Sequence, residues 1–249
     1  FITYHFLTFF LITFILYWAY PRRSWQNFLL LISGSVFYGW LVPWHTVFLL
    51  ASVTVDYFLT MAMTRWKPKA GFLMWLGIAL NLVFLLSVKY YPVFHGAAAT
   101  WINQPGFLRS IFIDNIILPL GVSFYTLKKI SYLVEVRKGT QQPVHDFIAY
   151  AVYISFFPQV ISGPIERPQK FLKQLEVSRK WVSSHLYNAW GLILMGLFKK
   201  IVVANTVKVL VDQIFLQKEP SKLLLIVGGL GFTLQILADF SSYTDLSRG

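Results

Sequence analysis

The polar residues whose types and spacing could do chemistry gather in two places. Directly after the apolar run Leu223–Leu237 stand Asp239, Ser241, Ser242, Tyr243 and Asp245. Gln235 falls one helical turn before Asp239 and would share its face. Carboxylates with hydroxyls between them admit two readings. They cap the free backbone groups of a helix leaving a membrane, or they line a cavity, because ionisable side chains at membrane depth are costly and usually face one. The second place is Ser155–Pro168, "SFFPQVISGPIERP". Pro158, Pro164 and Pro168 forbid one smooth helix there. Gly163-Pro164 is expected to turn the chain back, with Gln159 and Ser162 satisfying the backbone groups so freed. Glu166 and Arg167, set between two prolines, read as an ion pair closing that turn, with a direct part in the chemistry as the alternative.

Metal and thiol chemistry find no foothold. His5, His45, His95, His145 and His185 are scattered singly, without a His-x-x-x-His pair or an acidic ligand at metal spacing. Each reads as a solvated or helix-capping side chain, so no catalytic histidine and no metal ligand is assigned. The chain has no cysteine, which excludes disulfides, thiolate metal sites, a cysteine nucleophile and palmitoylation.

The elements that must position these residues are helices in a bilayer. Of 249 residues, 56% are hydrophobic and 13% charged, against roughly 25% charged in soluble domains; the mean hydropathy is +0.59. An all-α, multi-pass membrane protein is expected. Apolar runs cover Phe6–Tyr20, Asn27–Val42, Thr46–Met63, Gly71–Val88, Phe147–Ile161, Leu186–Val203 and Leu223–Leu237, and a further one precedes the basic stretch 128–138. A more polar segment, Pro92–Arg109, separates the fourth run from that further one. Tyr17, Trp18, Trp40, Trp44, Trp66, Tyr90 and Tyr91 crowd the run ends, as an interfacial belt does. Arg22 and Arg23 lie in the first loop, and Arg65, Lys67 and Lys69 in the third. The positive-inside rule makes both cytoplasmic, with the N-terminus outside. The basic stretch Arg167–Lys180 would break the alternation if Phe147–Ile161 crossed. That run is about 15 residues, roughly 23 Å of helix, against a core of roughly 30 Å. It is therefore expected to enter and return on the same side. The net charge of +12 is read as attraction to anionic lipid headgroups rather than to nucleic acid. Lys128-Lys129 and Lys199-Lys200 are expected at those headgroups too.

Four stretches resemble, in order, the signatures of the membrane-bound O-acyltransferases: "LPLGVSFYTLKKISYLVEVRKG" (Leu118–Gly139), "FFPQVISGPIERPQKFLKQL" (Phe156–Leu175), "WGLILMGLFKKIVVAN" (Trp190–Asn205) and "QILADFSSYTDLSRG" (Gln235–Gly249). The similarity is to the bacterial branch that contains the alginate O-acetyltransferase membrane subunit and the teichoic-acid D-alanyl transferase, and is closer to the former. The resemblance implies one domain over 1–249, the N-terminal half to two-thirds of a longer protein, with helices around a central tunnel in the bacterial inner membrane. It implies an acyl, chiefly acetyl, transfer from a cytoplasmic thioester (acyl coenzyme A or an acyl carrier protein) to a hydroxyl of an extracytoplasmic polysaccharide or relay protein, with no bound cofactor. The catalytic histidine is expected after a Trp beyond Gly249. Gln159, Pro164, Glu166, Arg167, Gln235, Asp239, Ser242, Tyr243 and Asp245 are the candidate substrate-binding residues. On this reading Lys128-Lys129 and Lys199-Lys200 gain an alternative role, attracting an anionic acyl donor. Ser242, Lys128-Lys129 and Asn205 stand where the family usually has Gly, an uncharged pair and Asp, which bears on substrate identity. A non-catalytic scaffold subunit and an acyl-group channel or transporter are the rival expectations.

Overall fold

The computed structural model describes residues 4–40, 42–98, 121–160, 163 and 166–249. Ser162, Pro164 and most of the 92–109 segment lie outside these. The described residues form an all-α structure in two compact units, one holding those up to Lys180 except Gly163 and the other Gly163 and those from Trp181.

The first unit contains α1 (Tyr4–Ala19), α2 (Arg23–Gly39), α3 (Pro43–Arg65), a 3-10 turn (Lys67–Lys69), α4 (Ala70–Ala98), α5 (Val122–Lys138), α6 (Phe147–Ser155), α7 (Phe157–Val160) and α8 (Pro168–Leu175). The second contains α9 (Ser183–Phe198), a π-helical segment (Lys199–Ala204), α10 (Asn205–Phe215) and α11 (Lys222–Arg248). Among the described residues, three stretches are long and apolar enough to cross a membrane: Pro43–Arg65, Lys67–Tyr90 and Lys222–Arg248. α4 runs through Pro92, ten residues past the expected end of its run. A proline removes one rung of the ladder, and here the helix continues past the gap.

Local chemistry sets the ends. Pro43 opens α3 with its φ preset, and Pro168 does the same for α8. Gly139, at φ 75°, closes α5 by donating its N–H back to the last turn, where Arg137 and Lys138 face the negative end of the helix. Asp146 caps α6: its Oδ1 accepts from the N–H groups of Ile148 and Ala149 at 3.0 and 3.2 Å. Pro158 has no N–H for the carbonyl of Ile154, so α6 cannot continue past it. The chain breaks at Phe156 (φ −55°, ψ 107°) before the short α7.

α6 is the centre of the first unit. Every residue from Ala149 to Ser155 is buried, walled by Leu49 and Val53 of α3, Tyr125 and Tyr132 of α5, and Phe171, Leu172 and Leu175 of α8. A helix apolar all round is stable only in such a position. Gly34 of α2 makes the approach possible: a Cβ there would stand 2.5 Å from the Ser155 carbonyl oxygen.

Candidate active site

The candidate residues fall into two groups, one in each unit. In the second unit, α11 carries the Asp239–Asp245 block along its body instead of ending before it. Asp239 to Asp245 therefore lie within the helix. The two carboxylates are six positions apart, which sets them about 120° apart around the helix. Two consecutive lysines of the π segment reach one each. Lys199 Nζ donates to Asp245 Oδ2 at 2.6 Å and to Ser241 Oγ at 2.7 Å. Lys200 Nζ donates to Asp239 Oδ1 at 2.5 Å and lies 5.5 Å from the Tyr243 ring centroid. All four charged side chains are part-buried. The lysines expected at lipid headgroups are instead the counter-charges of the polar strip, because carboxylates drawn out of water need a cation beside them. The extra residue per turn of a π segment is a device that recurs at functional sites.

Close packing holds this arrangement. A Cβ on Gly196 would meet the Ser242 carbonyl oxygen at 3.0 Å and Leu246 Cγ at 2.8 Å, so α9 and α11 touch backbone to side chain one turn before Lys200. Ser242 is fully buried, and its hydroxyl donates back to the Asp239 carbonyl at 3.0 Å. That hydroxyl is taken up within its own helix. Gln235 and Tyr243 are half-buried on the packed side of α11.

In the first unit, the Phe156–Leu175 block folds back toward its starting level. α6 begins beside the N-terminus of α2, where Arg23 Nη2 meets Asp146 Oδ2 at 2.8 Å. Its last residue, Ser155, packs on Gly34, midway along α2. At the end of α8 the chain is again beside the start of α2: the Leu175 carbonyl accepts from Arg23 Nε and Asn27 Nδ2, both at 3.0 Å. Gln169 of α8 donates to Glu135 and to the Thr140 carbonyl at the end of α5. Arg179 clamps the remaining basic stretch onto α1 and α2 through Tyr17 Oη (2.7 Å) and Asn27 Oδ1 (2.8 Å). Arg22, Arg137, Lys138, Lys173 and Lys180 thus belong to loops and helix ends at one end of this unit.

Gln159 sits inside the fold-back, where its Oε1 accepts from Lys128 Nζ at 3.1 Å. Glu166 reaches α6 through its backbone, the Tyr153 hydroxyl donating to its carbonyl at 3.3 Å. Glu166 and Arg167 form no ion pair among the described residues. Arg167 is extended (φ −65°, ψ 135°) and exposed, and successive side chains of extended backbone point to opposite sides. Gly163 is buried.

Sequence reasoning missed one cluster. Asp56 of α3, Asn81 of α4 and Lys129 of α5 meet in the core: Lys129 Nζ lies 3.3 Å from Asp56 Oδ2, with the two side chains 1% and 2% exposed. Asn81 Nδ2 donates to both Asp56 oxygens at 2.8 and 2.9 Å and to the Gly77 carbonyl at 2.9 Å. A lone Asp in one apolar run and a lone Asn in the next were the available signal, since such residues face inward and find each other. Lys128 and Lys129 are both buried, which corrects their expected place at headgroups. Of the histidines, His45 is buried near the Tyr38 ring, and the His145 carbonyl accepts from Tyr57 Oη at 2.5 Å. Among the described residues no group of His, Asp and Glu could hold a metal ion.

No family model matches the chain. Curated proteins do. The chain is 31% identical over 251 residues to the probable alginate O-acetylase AlgI of Pseudomonas aeruginosa, covering 98% of this chain and 47% of that protein. It is 28% identical over 252 residues to the peptidoglycan O-acetyltransferase of Helicobacter pylori, covering 88% and 46%. It is 28% identical over 150 residues to the teichoic acid D-alanyltransferase of Bacillus subtilis, covering 54% and 35%. The chain spans about half the length of the first two. With its all-α build and its helices of membrane-crossing length, this chain is a polytopic membrane protein whose relatives are membrane-bound O-acyltransferases.

Proposed function

We propose that this chain is the N-terminal part of a membrane-embedded O-acyltransferase. The enzyme moves an acyl group, chiefly acetyl, from a cytoplasmic thioester to a hydroxyl of an extracytoplasmic polysaccharide or relay protein. The observation that carries this reading is the Lys199–Asp245 and Lys200–Asp239 strip, charges held in place at 2.6 and 2.5 Å between the π segment and α11. It lies in one of the blocks on which the family resemblance rests. Fixed, paired charges of this kind orient a polar substrate at a depth where water would not.

The central steps are those of acyl transfer. The acceptor hydroxyl oxygen attacks the thioester carbonyl carbon. A general base takes the hydroxyl proton, the C–S bond breaks, and the thiolate leaves carrying the electron pair. The base is a histidine of the longer protein beyond Gly249, a kind of group worth typically 10²–10⁴-fold in rate. The polar residues Gln235, Asp239, Tyr243 and Asp245 line the acceptor's route; Ser242 contributes close packing. The α6–α7 hairpin is re-entrant and forms a wall of the tunnel. The return of α8 to the level of Arg23 supports this, as does the link between α8 and the end of α5. The basic end of the first unit then faces the cytoplasm of a bacterial inner membrane.

The test is acetyl transfer by the full-length protein in proteoliposomes, supplied with radiolabelled acetyl coenzyme A and a hydroxylated polysaccharide. Lys200→Met and Asp239→Asn should each lower kcat at least tenfold at normal protein levels. Full turnover in both variants would remove the strip from the reaction.

A further inference from the structure

Lys128 is buried to 4% exposure on α5, yet no carboxylate lies within ion-pairing distance among the described residues. Two of its three ammonium hydrogens have neutral partners: the Tyr153 carbonyl at 2.8 Å and Gln159 Oε1 at 3.1 Å. The Tyr153 and Phe171 rings stand 4.7 and 5.4 Å from Nζ. Part of this is structural. α6 stops inside the protein, its final carbonyls have no ladder partner, and a cation at that end of a helix is favourable.

The rest of the geometry is not needed for capping. An ammonium only donates, so its contact with Gln159 fixes which end of that amide is oxygen. Gln159 Nε2 is therefore directed away from Nζ, and it donates to no described residue although the side chain is 5% exposed. Lys128 keeps a third hydrogen. The two side chains thus offer one free ammonium donor and one oriented amide donor side by side, next to the Tyr153 and Phe171 rings. A buried cation whose direct partners are neutral, with the Glu166 carboxylate acting on it only from beyond ion-pairing distance, still gains from an oxygen that brings negative charge into contact.

We infer that Lys128 and Gln159 form a binding point for a carbonyl or anionic oxygen of the acyl donor. This rests on the acyltransferase reading for the identity of the ligand. Lys128 is the charged partner, and Gln159 is the amide it holds in register.

The experiment measures the affinity of the full-length protein in detergent for two probes, acetyl coenzyme A and S-ethyl coenzyme A, which lacks the thioester carbonyl. Gln159→Glu keeps the size of the side chain and gives Lys128 a carboxylate partner, but removes the amide donors. Lys128→Met removes the charge at similar length. Unfolding midpoints report on the fold of each variant. Both variants should bind acetyl coenzyme A at least tenfold more weakly, and Gln159→Glu should do so with an unchanged midpoint. A loss confined to acetyl coenzyme A assigns the site to the thioester carbonyl. An equal loss for S-ethyl coenzyme A assigns it to an oxygen elsewhere on the donor. Unchanged affinity for both probes in Gln159→Glu overturns the site, and wild-type acetyl transfer in the same preparation would leave the acyltransferase reading standing. Weakened binding in the variants with no transfer by wild type would do the reverse. Wild-type protein that binds neither probe overturns both.

Discussion

Removing the Lys129 ammonium should be among the most damaging single changes in the first unit. The Asp56–Lys129 pair is 3.3 Å apart and nearly sealed from solvent. At an effective dielectric constant of about 20, that separation corresponds to a gross attraction of about 5 kcal/mol. Lys129→Met leaves the Asp56 carboxylate stranded, and stranding one partner of a buried pair costs about 3–5 kcal/mol. The two Asn81 hydrogen bonds remain on the carboxylate, which points to the lower half of that range. The double variant Asp56→Asn/Lys129→Met removes both charges at little change in volume, so it should recover most of the loss. Lys138→Met, at an exposed position, serves as control and should stay within about 0.5 kcal/mol. The assay is reversible unfolding in mixed detergent micelles by SDS titration, followed by tryptophan fluorescence. A Lys129→Met cost within about 1 kcal/mol of the control, or a double variant worse than the single one, would refute the buried pair.

The fold makes three further outcomes testable. Gly34→Ala places a Cβ 2.5 Å from the Ser155 carbonyl oxygen and should cost about 1–3 kcal/mol by forcing α6 away from α2, read in the same titration; a neutral result would show that the two helices do not touch. Asp146→Ala removes the cap of α6 and the partner of Arg23 and should cost about 1–2 kcal/mol, whereas Asp146→Asn, which keeps the cap, should cost less. Cysteines introduced singly at Arg137 and Lys173 should react alike with a membrane-impermeant thiol reagent, unreactive in intact cells and labelled in inverted vesicles. The absence of native cysteine keeps the readout clean, and opposite labelling would deny that α6 and α7 return to the side they came from.

The class of fold was plain in the sequence because apolar runs of membrane length need no tertiary information to recognise. The break at Phe156 was legible as well, since Pro158 withholds a donor whatever surrounds it. The partners of the charges were harder to read. Lys128, Lys129, Lys199 and Lys200 come as pairs at the ends of apolar runs, where headgroup contact is the ordinary role. Their true partners are 73 positions away for Lys129 and Asp56, and 39 for Lys200 and Asp239. Periodicity carries nothing about such distances. The π segment was equally invisible, because "KKIVVA" has the same propensities as an α-helix. The course of α11 through the Asp239–Asp245 block was left open by the sequence for a related reason. A cluster of Asp and Ser usually stops a helix by competing for its backbone, but here the two lysines engage the carboxylates and Ser242 bonds within its own turn.

The most direct test of the central claim uses sealed, inverted membrane vesicles that hold the full-length protein and enclose a hydroxyl-bearing polysaccharide. Radiolabelled acetyl coenzyme A is added outside, on the face equivalent to the cytoplasm. Label should appear on the enclosed acceptor as an alkali-labile ester, and it should fall at least tenfold with Lys200→Met. Acceptor that stays unlabelled, with wild-type protein fully inserted and the thioester intact outside, would contradict acyl transfer across the membrane.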